Sequence, residues 1–382
     1  MMNVYLDNAA TTQVRPEVIE KMQEALASTF GNPSSTHSYG RSSKTIIETA
    51  RKSIASYLNA KPQEIIFTSG GTEADNMVLR CAVRDLGIKT IITSEVEHHA
   101  VLHTAEELAS EYGIALRFVE LKDCGTPDSA HLETLLKADS SKKLVSLMHV
   151  NNEVGNMIDI DAIATLCKEH GALFHSDTVQ SIGHYKIDVE KTAVDFMAVA
   201  AHKFHGPKGI GFAFIRQDSG IKPLIFGGEQ ERGYRAGTES VHNIVGLAEA
   251  MKFSYDHLDE EKKYVSDLKQ YFITQLKKEL PGCSFNGNSE DFDKSTYTLV
   301  NVNLPVPENK SLMLLFHLDI KGIACSKGSA CQSGSSLGSH VLNKILSAEE
   351  LKRPSVRFSF SKYNTKEELD YVIKELKVFC EV

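Results

Sequence analysis

The sequence predicts an α/β protein, with a large domain built on a mainly parallel sheet and a smaller α+β domain at its C-terminal end. Three observations predict it. Short apolar runs alternate with helical patterns between about residues 60 and 215, the mark of βαβ units. From Val245 to Leu280 the pattern is long and helical and stops at Pro281-Gly282, which reads as a bridge. Beyond it, strand-like and helix-like stretches resume, and 382 residues exceed what one core usually fills.

In chain order the expected strands are Glu64 to Thr68, Thr90 to Thr93, Leu144 to Val150, Ala172 to Ser176, Phe196 to Ala200 and Gly211 to Ile215. Each is a short apolar run of the kind a sheet buried on both faces requires. Ile160, Ile163, Ala164 and Cys167 recur at helical spacing and predict a crossover helix. In the bridge, Tyr264, Val265, Leu268, Tyr271, Phe272 and Leu276 form one stripe. The second domain opens on the strand-like Tyr297 to Val302 and closes with a helix that the capping box Thr365-x-x-Glu368 starts. Leu369, Val372, Ile373 and Leu376 supply the buried face of that helix.

Composition excludes several classes. A net charge of -8 with no basic patch argues against a nucleic-acid surface. Seven cysteines, odd in number and without a CxxC pair, favour a reducing compartment and at least one free thiol. Neither a signal-like N-terminus nor an apolar run of membrane-spanning length is present, so a soluble cytoplasmic protein is expected.

Three segments at predicted strand ends carry chemistry, as open α/β sheets bind ligands there. Lys203, in Ala200-Ala201-His202-Lys203-Phe204-His205-Gly206, follows a buried strand. A lysine so placed suits a Schiff base, because burial or nearby positive charge frees its amine. Thr68-Ser69-Gly70-Gly71-Thr72 follows a strand and opens a helix whose N–H groups suit a phosphate, although such turns are also common in structural loops. Asp177 ends another strand, where a lone acid is usually a helix cap. Amine, phosphate cradle and carboxylate together are what pyridoxal 5′-phosphate needs. A metal site from His98, His99, His175, His202 and His205 is the weaker reading, since the cysteines are not spaced for zinc, and no metal is expected.

At this point the chain resembles the class V branch of the fold-type I pyridoxal-phosphate transferases, and within it the NifS/IscS-like group I cysteine desulfurases. The resemblance rests on Tyr5 to Thr12, Gly31-Asn32-Pro33-Ser34-Ser35, Glu97-His98-His99-Ala100-Val101, Asn151-Asn152-Glu153-Val154-Gly155, the Lys203 segment, Arg235-Ala236-Gly237-Thr238-Glu239, Gly328-Ser329-Ala330-Cys331 and Val356-Arg357-Phe358-Ser359. It implies a large domain over residues 13–255, and a small domain from residues 1–12 and 256–382 that carries the catalytic cysteine in a loop at 326–340.

The resemblance further implies that Lys203 holds the cofactor covalently, that Asp177 pairs with the pyridinium nitrogen and that Gln180 donates to the phenolic oxygen. His98 would stack on the ring and move protons. Gly71, Thr72, His202 and, from a partner subunit, Thr238 would hold the phosphate. Asn152 would lie beside the cofactor and, with Arg357, grip the substrate carboxylate. Cys331 would take sulfur from L-cysteine as a persulfide, releasing alanine, and pass it to an acceptor such as an iron-sulfur scaffold protein. A homodimer is implied, with the site at the subunit interface. The same scaffold would also serve a selenocysteine lyase or an aminotransferase, and a non-catalytic docking protein is the reading outside enzymes. Cys325 reads as a small buried residue rather than a second redox thiol. The chain departs from its relatives at Ala200, where a phosphate-binding serine is usual and water, Ser69 or Ser176 are the candidate replacements, and at Glu229, where a glycine is usual.

Overall fold

The computed structural model describes residues 2–327 and 338–380. Its strands in chain order are β1 (Val4–Tyr5), β2 (Ile65–Thr68), β3 (Thr90–Thr93), β4 (Ala115–Phe118), β5 (Lys143–Ser146), β6 (Leu173–Asp177), β7 (Phe196–Ala200), β8 (Gly211–Ile215), β9 (Ser284–Phe285), β10 (Leu299–Asn303), β11 (Ile323–Ala324) and β12 (Ser355–Ser359). Seven of them form one sheet in the order β2-β8-β7-β6-β5-β3-β4. Within it only β8 runs against its neighbours β2 and β7.

Side-chain alternation divides this sheet between two apolar layers. Phe67, Val145, Phe174, Met197 and Phe212 point into one, with the helix Ser38–Tyr57. Ile66, Leu144, Phe196, Ala198 and Ala213 point into the other, against the helix Gly71–Leu86. Because both faces are covered, the strands read as unbroken apolar runs. The parallel strands all end at one edge, which brings the segments after β2, β3, β5, β6 and β7 together.

A separate core joins Val4 and Leu6 to Leu268 and Phe272 of the helix Leu258–Glu279, to Val300, Val302, Val356 and Phe358 of β10 and β12, and to Leu369, Val372, Ile373 and Leu376 of the helix Lys366–Cys380. The expected capping box is present: Thr365 N–H donates to Glu368 and Glu368 N–H to the Thr365 hydroxyl, at 3.1 and 3.3 Å.

Two expectations need correction, and one strand was not expected. The strand expected from Leu144 to Val150 stops at Ser146, although Leu147 and His149 still donate N–H to His175 and Asp177 carbonyls. The long helical stretch is two helices, Val241–Asp256 and Leu258–Glu279, with the break at His257. Strand β4 was absent from the reading; it lies at the sheet edge, is only partly buried and has the exposed Arg117 at its centre.

At the opposite edge, β2 is covered by a buried ion pair instead of a strand. Glu231 accepts from the Phe67 N–H at 2.8 Å, Arg51 donates to the Ile65 carbonyl at 2.6 Å, and the two side chains pair at 2.7 and 2.8 Å. Edge groups that would template another chain are thereby satisfied. Glu231 and its neighbour Arg232 hold φ values of 48° and 58°, a conformation that costs non-glycine residues energy, so this contact is built at the expense of local strain.

Candidate active site

At the sheet's C-terminal edge, one cavity of about 220 Å³ is lined by Ala9, Ala10, Gly71, Thr72, Asp75, His98, Met148, Asn152, Asp177, Val179, Gln180, Ala200, His202, Lys203 and Arg357. Lys203 ends a single helical turn after β7, and its Nζ donates to the carbonyls of Ala9 and Ala10 at 2.7 and 2.8 Å. Gln180 donates to the same Ala9 carbonyl at 3.0 Å. Thus the N-terminal segment holds both donors through backbone oxygen.

Asp177 closes β6 and is buried, with Oδ1 accepting the Val179 N–H at 2.9 Å. Burial pushes its carboxyl up to about 7 and Asp75 adds to the rise, while the Val179 N–H, His175 and Lys203 work against it. Gly71 opens its helix so close to the turn after β6 that a Cβ there would lie 2.6 Å from Val179 Cγ2. The residue before it, Gly70, has φ of 153°, a backbone state that side chains disfavour. Helix and turn therefore approach only because Gly71 lacks a side chain, leaving the helix's first N–H groups and the exposed Thr72 at the cavity wall.

His98 is the N-cap of the helix His99–Tyr112, and its Nδ1 accepts the Ala100 N–H at 3.1 Å. Burial, reinforced by Lys203 and the neighbouring imidazoles, brings its pKa down to about 4. The ring is neutral near pH 7, and the hydrogen bond at Nδ1 assigns its proton to Nε2. His202, likewise lowered to about 4 by burial with Lys203 and Lys208 assisting, contacts the Thr11 hydroxyl at 3.2 Å.

Arg357, in β12, belongs to the second core's sheet yet reaches this cavity. Its Nη1 donates to the Asn152 carbonyl at 2.6 Å and its Nη2 to Asp7 Oδ1 at 2.9 Å. The Arg357 backbone pairs in both directions with Ser326, which leads into the segment that carries Cys331. On the far side of that segment Ser339 donates to Glu153 and His340 meets the Glu97 carbonyl at 2.9 Å. Cys331 itself lies outside the described residues. Cys325 is a thiol pushed up to about 12 by burial, which makes it a poor nucleophile.

Lys203, Asp177, His98, Gly71, Thr72, Gln180, His202, Asn152 and Arg357 are thus gathered around one space. Thr238 is exposed and outside it. Ala200 lines the cavity, whereas neither suggested replacement does: Ser69 is exposed, and Ser176 donates its hydroxyl to the Leu147 carbonyl at 2.8 Å. The reading by sequence missed Asp75 and Asp7. Asp75 had a faint signal, four residues after Gly71 and hence on the same face of the helix.

A family model for the class-V aminotransferases matches residues 4–372. The chain belongs to the class-V aminotransferase family. It is 41% identical over 380 residues to cysteine desulfurase IscS of Dictyoglomus turgidum, covering 99% of this chain and 94% of that one. It is 42% identical to the putative cysteine desulfurase IscS 1 of Bacillus subtilis over 98% of both. A solved NifS-like protein superposes over 100% of both chains with a TM-score of 0.90 at 34% identity. Another, SspA in complex with cysteine, gives 0.81 at 32% identity over 95% of this chain and 100% of that one. These relationships put this member of the class-V family among the IscS/NifS cysteine desulfurases.

The cofactor of this family is pyridoxal 5′-phosphate. The site fits it on this chain's own terms. A carboxylate whose ionisation burial opposes, as at Asp177, is relieved by a cationic ring nitrogen beside it. The helix N-terminus at Gly71 would hold the phosphate, and the Lys203 amine at the strand end would attach the aldehyde.

Proposed function

We propose that the chain is a pyridoxal-phosphate-dependent cysteine desulfurase that converts L-cysteine to L-alanine and holds the released sulfur on Cys331. The observation that carries the proposal is the convergence of Lys203, Asp177 and Arg357 from three different strand ends or sheets on one cavity. The bound cofactor would act as an electron sink that loosens bonds at the substrate's Cα and Cβ. Lys203 would attach it and, once displaced, serve as an amine that moves a proton at Cα. Asp177 would stabilise the ring cation, and Gly71, Thr72 and His202 would hold the phosphate. His98, with its proton on Nε2, would stack on the ring and relay protons.

Arg357, with Asn152 beside it, would bind the substrate carboxylate by two parallel hydrogen bonds, which the planar guanidinium favours. Its Nη2 is paired with Asp7, so a substrate carboxylate would meet Asp7 at this guanidinium. The Cys331 thiolate would then attack the substrate sulfur: the S–S bond forms as the Cβ–S bond breaks, the electron pair passes to the carbon, and protonation yields alanine. Cys331 is left as a persulfide for an acceptor, consistent with an iron-sulfur scaffold protein.

We also read the chain as a homodimer. Phe30, Tyr39 and Phe226 are 75%, 58% and 77% exposed, and a Gln230–Ser34 hydrogen bond ties the loop carrying Thr238 to the segment beside Phe30. Apolar exposure of this kind marks a surface that associates, and it would let Thr238 reach the phosphate of a second copy. The test is to incubate the protein with cofactor and L-cysteine and compare it with Cys331→Ala. The variant is expected to keep its yellow bound cofactor and lose turnover to alanine. Unchanged alanine production in Cys331→Ala would remove this residue from the reaction.

A further inference from the structure

Behind Asp177 lies a second layer of polar groups inside an otherwise apolar face. The parity that turns Leu144, Phe196 and Ala198 toward the helix Gly71–Leu86 also turns Ser146, His175 and Asp177 toward it. Ser146 and His175 are register partners on β5 and β6, and Ser146 Oγ meets His175 Nδ1 at 2.8 Å. From the helix, Asp75 Oδ1 faces His175 Nε2 at 3.4 Å, with side chains 1% and 0% exposed. That distance is loose for a hydrogen bond, and neither atom has another hydrogen-bond partner among the described residues. Asp75 also lines the cofactor cavity, and so does Asp177, two residues along β6 from His175.

We propose that Asp75 and His175 form a proton-sharing pair, steadied by Ser146, that sets the charge of Asp177 and through it the protonation of the cofactor's ring nitrogen. The proposal rests on Asp177 being the ring's partner, as read above. Burial raises three acids here, Asp75 to about 8, and Asp75 adds to the rise of both Asp177 and Glu97. Like charges this deep do not all ionise. Local hydrogen bonding decides which acid does. Asp177 has the Val179 N–H and the nearby Lys203 to stabilise its anion, and Glu97 has the Met148 N–H on one oxygen only. Asp75 Oδ1 has only His175, so the pair retains a proton. Burial brings the His175 ring down to about 4, so it carries the pair's proton only by sharing it with Asp75. In their charged forms the two act on Asp177 in opposite senses, since an ionised Asp75 opposes its ionisation and a protonated His175 favours it. Both are positioning residues that act through Asp177.

This opposition is what an experiment can read. The ring-nitrogen 15N resonance of bound, isotopically labelled cofactor reports protonation, and equilibrium dialysis reports affinity. In His175→Gln the resonance is expected to move toward the unprotonated position, with cofactor affinity weakened on the order of tenfold, the effect of a one-unit displacement. In Asp75→Asn it is expected to stay protonated, and the double variant to return toward Asp75→Asn. Ser146→Ala, the mildest change, should move it as His175→Gln does but less. Variants that lower the melting temperature while leaving the resonance at its wild-type position would overturn the proposal and leave a structural pair. A wild-type resonance that Asp177→Asn does not move would instead overturn the assignment of Asp177 itself.

Discussion

The two sides of the cavity are made differently. The cofactor side consists of groups fixed at the ends of strands that run in one direction: Asp177 is held by the Val179 N–H, Gly71 lies against Val179, and Lys203 is held by two carbonyls. The substrate side is occupied by the protein itself. Arg357, the proposed holder of the substrate carboxylate, already pairs with the Asp7 carboxylate, and its own backbone pairs with Ser326, which leads into the cysteine-bearing segment. On the proposed reading, preorganisation would serve cofactor retention, whereas substrate binding would be an exchange of one carboxylate for another at Arg357. That exchange is coupled through β12 and Ser326 to the segment that must receive the sulfur.

The comparison can be broken at several points. The largest effect is expected from Lys203→Ala, which removes the attachment point: alanine formation falls to background, and borohydride no longer fixes the cofactor to the chain. Next is Glu231→Gln, which breaks the buried pair at the edge of β2 and leaves Arg51 with the partly exposed Glu48 as its ionic partner. Loss of a buried pair costs about 3 to 5 kcal/mol, so thermal unfolding should show a clear drop in melting temperature. A retained melting temperature would mean that the edge strand does not depend on this pair. On the substrate side, Arg357→Gln removes charge-assisted hydrogen bonds worth roughly 1.5 to 3 kcal/mol, predicting about a hundredfold rise in KM with cofactor absorbance intact. The smallest and most pointed change is Asp7→Asn. If Asp7 occupies the substrate's place, KM should fall by about threefold to tenfold, since a partly exposed pair contributes on the order of 1 kcal/mol. A raised KM would show that Asp7 orients Arg357 instead of competing for it.

Much of the cofactor side was legible because strand ends are legible. Phe196 to Ala200 is an apolar run, and a lysine just after it has few structural reasons to be there; Asp177 and Gly70-Gly71-Thr72 stand in the same relation to β6 and β2. Strand β4 escaped notice because an edge strand needs no continuous apolar run, and the break at His257 because no proline or glycine marks it. Asp7 and Asp75 were hidden for another reason. Each gains its meaning from a group distant in sequence, Arg357 or His175, and no local pattern records such a pairing. The helical periodicity that placed Asp75 on the face of Gly71 could not say that a histidine would stand opposite.

No helix among the described residues is long and apolar enough to cross a membrane. The central claim remains chemical: sulfur leaves L-cysteine onto Cys331. Its most direct test is a single turnover with the cofactor-loaded enzyme and limiting L-cysteine, quantifying alanine while mapping persulfide by peptide mass. The account predicts alanine and Cys331 persulfide in equal amounts before any acceptor is added. Alanine accompanied by free sulfide, with Cys331 unmodified, would contradict it.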